Sequence, residues 1–353
     1  MKKRIKHILI PILVVMLVFS MTGCGNGGGA DQESGEANGA GVEAPAGEVI
    51  ELTFGNISLD SGIYAAELFK EVAERESGGT LQINLFHNNV LGDDRSQVEQ
   101  TIFGDIHIAV SSSSPIASMH NDLFAFDAPF LFFNEEQADA ALDGPVGQRI
   151  MDDLSEIGLK GLGYWENGFR NFTSDNIPVN TPDDVRGVTI RTMENEIHLA
   201  AWNAFGANPT PMAMTEVFTA LQQGTIDAQE NTMGTIDGFG LYEIQSYISM
   251  TGHIYTPFIV VMNLDMWNSL NEVQQNAITV AMRESTAFQR EFSRNINEEF
   301  IQRWEELGVT IVWPSDAEKA MFQALAEEHG VWDMIRGNMD HPELLDQIVD
   351  QLN

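Results

Sequence analysis

Alternation of apolar and polar positions organises the chain from Val49 onward. Residues 49–55 (VIELTFG) and 80–86 (TLQINLF) keep the two-residue period of half-buried strands. Between them, Ala65, Leu68, Phe69 and Val72 fall on one face of a helix over 64–76, which Gly78 and Gly79 terminate. The loop LGDDR leads into a short helix with Asp93 or Asp94 as its cap. Residues 105–114 predict a third strand that runs into four serines. The aromatic stretch 124–133 reads as a buried crossing segment, and 134–157 as two helices parted by Gly144 and Pro145.

The pattern restarts after Lys160. Strands are expected near LGYWE, FRNFT and VTIRT, then a helix over 194–205, a strand around 209–212, a helix over 215–223 and a short strand at TIDAQE. Residues 247–264 are β-rich and apolar enough to return to the first set. The longest helical pattern covers 265–307 and holds neither Pro nor Gly, so a single helix is expected. At ~1.5 Å per residue it would span about 60 Å, more than one domain. VTIVWP and helices after Ser315 complete the chain. Repeated strand–helix units argue for an α/β architecture with largely parallel sheets, in two domains. The expected division is 49–166 plus about 256–295 for the first, and 167–255 plus about 296–353 for the second.

The segment before Val49 follows other rules. MKKRIKH is a positive n-region, and ILIPILVVMLVFSM a short apolar run broken by Pro11. Residues 1–23 thus read as a secretory signal peptide rather than a membrane span. Met21-Thr22-Gly23-Cys24 resembles a bacterial lipobox, with Met21 where Leu is usual and Cys24 as the lipidated residue. The other readings are an uncleaved N-terminal anchor and an ordinary signal beside an incidental Cys. Each places the folded part outside the cytoplasm. Residues 24–48, rich in Gly, Ala and Glu, form a flexible tether. Cys24 is the only cysteine, so no disulfide or Cys-based metal site is expected.

Charge then narrows the chemistry. The chain has 18 basic and 52 acidic residues and a formal net charge of −34. Such a surface repels nucleic acid and anionic lipid. Between Gly161 and Met282 the basic residues are Arg170, Arg186 and Arg191 alone. Arg170 and Arg191 sit in strand-like runs, and a guanidinium matches a carboxylate as a rigid fork. Arg191 falls at the carboxyl end of its strand, where open α/β sheets bind ligands, and Asn231 lies just past another strand end. Taken singly, each of these is more often structural.

The remaining candidates are Glu230 beside Asn231, Trp165, Asp94, Arg95 and Ser112. Trp165 suits either a sugar face or the core. The roles of Asp94 and Arg95 are open. Ser112, within the serine run, could donate at a strand end or cap the next helix. The eight histidines show no paired spacing with carboxylates, and no nucleophile elbow, Walker loop or dinucleotide fingerprint occurs. No metal or cofactor is expected, and an enzyme acting on acidic sugars has no acid/base pair to support it.

At these residues the chain resembles the DctP-type solute receptors of tripartite ATP-independent periplasmic (TRAP) transporters. The resemblance rests on DAPFLF, LDGPVGQ, WENGFRNFT, TPDDVRGVTIR, FGANPTPMAMTEVFTALQQGTIDAQEN and TGHIYTPF, and runs from about Glu51 to Asp316. It implies a two-domain, periplasmic-binding-protein-like α/β fold with a long helix spanning both domains, closing over an organic acid. It puts the principal carboxylate-binding arginine on Arg191, a supporting one on Arg170 and a ligand-contacting asparagine on Asn231. It also implies TRAP permease subunits as partners and, through Cys24, a lipid anchor on the outer face of the membrane. WENGFRNFT-bearing members favour a sugar acid, with a C4-dicarboxylate as the alternative. The departures are a shortened first loop (GNISLDSGIY), Asn56 where His is common and Ala228 where Gly is usual.

Overall fold

The computed structural model describes residues 49–57 and 61–352, so the leader, Cys24 and the tether lie outside the described residues. The chain opens with β1 (Ile50–Asn56), α1 (Ser61–Glu76), β2 (Leu81–Phe86), α2 (Asp94–Phe103) and β3 (Ile108–Ser112). Next come α3 (Glu135–Asp143), α4 (Pro145–Asp153), β4 (Leu159–Phe169) and β5 (Asn171–Ser174). Then β6 (Thr189–Thr192), α5 (Glu196–Ala204), β7 (Asn208–Pro211), α6 (Met214–Gln222), β8 (Ala228–Asn231), α7 (Met233–Gly238) and β9 (Tyr247–Ser249) follow. The chain closes with β10 (Tyr255–Asn263), α8 (Leu264–Ser269), α9 (Glu272–Glu306), β11 (Thr310–Val312), α10 (Asp316–Glu328), α11 (Val331–Asn338) and α12 (Glu343–Leu352).

Two sheets result. The first has the order β2-β1-β3-β10-β4 and the second β11-β9-β5-β8-β6-β7. Strands joined through helices pair in parallel, as the β/α pattern predicts. The exceptions are β4, β5, β9 and β10, whose pairings with one another and with β3 and β8 are antiparallel. These four strands carry the chain between sheets: β4 leaves the first at Phe169 and β5 enters the second at Asn171, with Arg170 between. The return runs from β9 to β10 across Met250–Ile254. Two long antiparallel connections leave the sheets tied side by side, and both pass through buried backbone.

The long helix differs from expectation. It is broken at Leu270, and α9 starts afresh because Asn271 and Gln274 form a reciprocal capping box. The apolar period of α8 runs on into α9, which hides the break. At ~1.5 Å per residue the 35 residues of α9 extend about 52 Å. Ala277, Ile278 and Ala281 pack in the core of the first sheet. Phe300 and Trp304 pack in that of the second. The helix therefore rides on both. Among the described residues no helix is long and apolar enough to cross a membrane.

Candidate ligand-binding site

Strand ends of both sheets converge on one cavity. Its walls include Ser112 from the end of β3 and Asp93, Asp94 and Arg95 at the start of α2. Arg191 on β6, Asn231 on β8 and Asn167 on β4 also line it. The carboxyl ends of parallel strands leave side chains and helix N-termini facing the crevice beyond them. That is why β3, β6 and β8 all deliver polar groups here.

Arg191 is 3% exposed, yet among the described residues no carboxylate is bonded to it. Its Nε and Nη2 donate to the Met212 carbonyl at 2.8 and 2.6 Å. One edge of the guanidinium is thereby held by backbone, and its charge is offset only through space, by Glu230, Asp94 and Glu194. Burial, together with the nearby Arg170 charge, pulls its pKa down to about 10, still far above neutrality. A buried cation without a counter-ion is costly unless an anion arrives to complete it.

The surrounding groups are held in place. Asn231 is 4% exposed; its Oδ1 accepts from Thr232 N at 3.0 Å and its Nδ2 faces the Met214 sulfur at 3.3 Å. Asp94 accepts from Ser112 N at 2.8 Å and from Ser111 Oγ at 3.4 Å. Burial raises the Asp94 pKa, against the lowering effect of its Ser112 bond and of Arg191. Arg95 is exposed and paired with Glu99 at 2.9 Å. Asn167 donates to Ser112 Oγ at 3.4 Å and accepts from Thr232 Oγ1 at 2.7 Å, bridging the two sheets. The cavity is narrow, about 50 Å³.

Five of the eight side chains picked from sequence thus meet here: Arg191, Asn231, Asp94, Arg95 and Ser112. Trp165, Arg170 and Glu230 do not line the cavity. Trp165 is fully buried and stacks on Phe54 at 6.3 Å in the core of the first sheet, so the core reading of that residue holds. Glu230 is adjacent to Asn231 on β8, and neighbouring strand residues face opposite ways. It turns from the cavity to Arg170, whose Nε and Nη2 donate to its carboxylate at 2.5 and 2.9 Å. The Arg170 Nη1 atom is buried and has no hydrogen-bond partner.

This ion pair anchors a buried network between the sheets. His253 Nε2 lies 3.0 Å from Glu230, and His198 Nε2 lies 3.2 Å from Asp127. Asn195 donates to Asp127 and to the Ser114 carbonyl, both at 2.8 Å. Burial opposes ionisation of Glu230, but Arg170 and the two histidines outweigh it and hold the pKa well below the usual 4.5. Burial likewise opposes charge on His198, and its bond to Asp127 with the Glu230 carboxylate 3.9 Å away reverses the balance and raises the pKa. Sequence reading left His253 as structural and did not single out His198, Asp127 or Asn195.

The cavity residues missed from sequence are mainly apolar or amide: Asn167, Met193, Thr235, Phe239 and Phe258. Their strand-end or helix-start positions were the available signal. Among the described residues, Asp122, Asp153 and His341 bring potential ligand atoms within 4.8 Å. Asp122 is bonded to His341 at 2.7 Å and Asp153 is paired with Arg149, so these groups already satisfy one another.

Comparison with known proteins agrees with this geometry. Residues 58–333 match the DctP family, described as bacterial extracellular solute-binding protein, family 7. The 2,3-diketo-L-gulonate-binding periplasmic protein YiaO of Escherichia coli (strain K12) is 34% identical over 269 residues, 76% of this chain and 82% of its own length. The sugar acid binding protein DctPAm of Advenella mimigardefordensis, solved with galactonate, is 34% identical with a TM-score of 0.82, covering 86% of this chain and 97% of its own. A TRAP periplasmic solute binding protein of Sulfurospirillum deleyianum, solved with succinate, is 25% identical with a TM-score of 0.79, covering 84% and 97%. The fold, the strand-end cavity and the matched span together make this chain a member of the DctP family, an extracytoplasmic solute-binding protein of the TRAP type.

Proposed function

We propose that the protein captures a sugar acid, a uronate or aldonate, by its carboxylate and delivers it to a TRAP membrane permease. The observation that carries this is Arg191, a buried guanidinium fixed by a backbone carbonyl and lacking a carboxylate partner among the described residues. Asn231 adds an amide beside it. Arg170 contributes positive potential at Arg191, and its unpartnered Nη1 is a donor in reserve.

The cavity wall favours a polyhydroxy monoacid over a C4-dicarboxylate. Asp93, Asp94 and Glu194 line it against Arg95 and Arg191, and Arg95 is committed to Glu99. A second ligand carboxylate would meet these acids at a cost of about 1 to 4 kcal/mol for a pair ~4 Å apart. Sugar hydroxyls would instead donate to Asp94. The galactonate-bound relative supports this reading, and the succinate-bound one marks the alternative.

Strand ends of both sheets wall the cavity, so a ligand held between them needs it to open for entry. We assign the opening to two lobes, 49–166 with about 256–295 and 167–255 with about 296–353, parting about the β4–β5 and β9–β10 crossovers. Binding then selects and stabilises the closed arrangement.

A thermal-shift panel tests the ligand class. Uronates and aldonates should raise the melting temperature more than succinate does, through preferential binding to the native state. Asp94→Asn should weaken sugar-acid binding about tenfold, the loss of one hydrogen bond to a charged acceptor, and narrow the gap to succinate. A panel in which succinate gives the largest shift would reverse the assignment.

Membrane attachment is part of the same proposal, with Cys24 as the lipidated residue. Radiolabelled fatty acid should enter the full chain in cells and be absent from Cys24→Ala. Equal labelling of both would remove the anchor.

A further inference from the structure

A second cavity, about 570 Å³, borders the same crossover segments and plays no part in the acid-binding proposal. Its volume lies in the range of small-molecule sites. Phe130, Phe132, Phe133, Phe169 and Trp313 line it, joined by Met233 and Met250. Phe133 and Trp313 are 65% and 61% exposed, although most of the chain's other aromatic rings are buried. Wet aromatic faces gathered around one hollow call for an apolar guest.

The charges on the wall have both signs. Lys319 lines the cavity half-buried, with its ammonium close to Gly252, and has no hydrogen bond or ion pair among the described residues. In a chain with 52 acidic residues and 18 basic ones, such a lysine stands out. Burial lowers its pKa, so an arriving carboxylate would restore what solvent has lost. Glu135 and Asp316 also line the cavity. Glu166 does too, but it is bound to Arg294 at 2.6 Å.

An anion alone would meet Glu135 and Asp316. A cation alone would meet Lys319. A molecule carrying both charges on an apolar body satisfies each group, and being neutral it works against no long-range field from the net charge of −34. We propose that this cavity binds a small amino-acid-like zwitterion, its carboxylate on Lys319, its ammonium facing Glu135 and Asp316, and its body against the aromatic wall. The proposal stands apart from the assignment of Arg191.

Calorimetric titration of the full chain with three probes of one aromatic body tests it: L-tryptophan, tryptamine and indole-3-propionate. L-Tryptophan should bind, and each singly charged probe should bind about tenfold or more weakly. Lys319→Ala should reduce L-tryptophan to the level of tryptamine, Lys319→Arg should retain most of its affinity, and Arg191→Ala should leave it unchanged. The proposal is overturned by absence of L-tryptophan binding, by equal affinity for the three probes, by indifference to Lys319→Ala, or by loss of binding in Arg191→Ala.

Discussion

Arg191→Ala is expected to abolish sugar-acid binding, weakening it by at least about a hundredfold. Truncating one partner of a buried, hydrogen-bonded charge pair costs about 2–5 kcal/mol, because the other charge is left in the site without its match. Arg191 meets the conditions for the upper part of that range. It is 3% exposed, it is oriented by two bonds to Met212, and among the described residues no carboxylate is bonded to it. Its removal frees the Met212 carbonyl and takes positive potential from Asp94, which keeps its bond from Ser112 N, so the variant's melting temperature without ligand is measured beside its binding. Arg186→Ala is the matched control. Arg186 lies on the surface and pairs with Asp183, three residues away, at 2.8 Å. Its loss should leave the ligand-induced melting shift intact, and equal behaviour of the two variants would sink the assignment of Arg191.

Glu230→Ala should be among the most destabilising single changes in the chain, by about 3–5 kcal/mol in urea unfolding. It would leave the Arg170 guanidinium buried without its counter-ion, and that imbalance is what makes the breaking of a buried pair expensive. Replacing both partners, as in Arg170→Met with Glu230→Leu, should cost less than Glu230→Ala alone, because no uncompensated charge remains. A single-variant loss below about 1 kcal/mol would show the pair to be dispensable.

The same network sets a pH dependence. Glu230 has a depressed folded pKa, so its contribution is present above the usual 4.5 and is lost as pH falls through the lower folded value. His198 acts oppositely. Its raised folded pKa stabilises fully below the usual 6.5 and is lost as pH rises through the folded value. The joint contribution of Glu230 and His198 should therefore be greatest between these two limits, while His253, whose pKa burial lowers, opposes His198 below 6.5.

Much of the fold was readable because burial writes a period into the chain. Two-residue alternation located β1 and β2, and the restart of the strand–helix pattern after Lys160 marked the second set. Arg191, Asn231, Asp94 and Ser112 line one cavity because strand-end positions are where an open α/β sheet gathers polar groups. The candidates that lie away from the cavity do so for local causes. Glu230 and Asn231 are neighbours on one strand, so only one of them can face the cavity, and parity against a partner sheet is not written in a four-residue strand. Arg170 occupies the one residue at which the chain changes sheets, so its direction depends on a carboxylate sixty residues away. Trp165 lies within β4 opposite Phe258 and packs on Phe54, so it fills the core of the first sheet. The Asn271 and Gln274 cap was present as N-E-V-Q but was masked by an apolar period that runs straight across it.

The most direct measurement of the central claim is a crystal structure of the chain with a bound uronate or aldonate. The account predicts the ligand carboxylate on the guanidinium of Arg191, within hydrogen-bonding distance, with Asn231 beside it and a ligand hydroxyl on Asp94. A ligand carboxylate seated elsewhere, with Arg191 still bound only to the Met212 carbonyl, would contradict it.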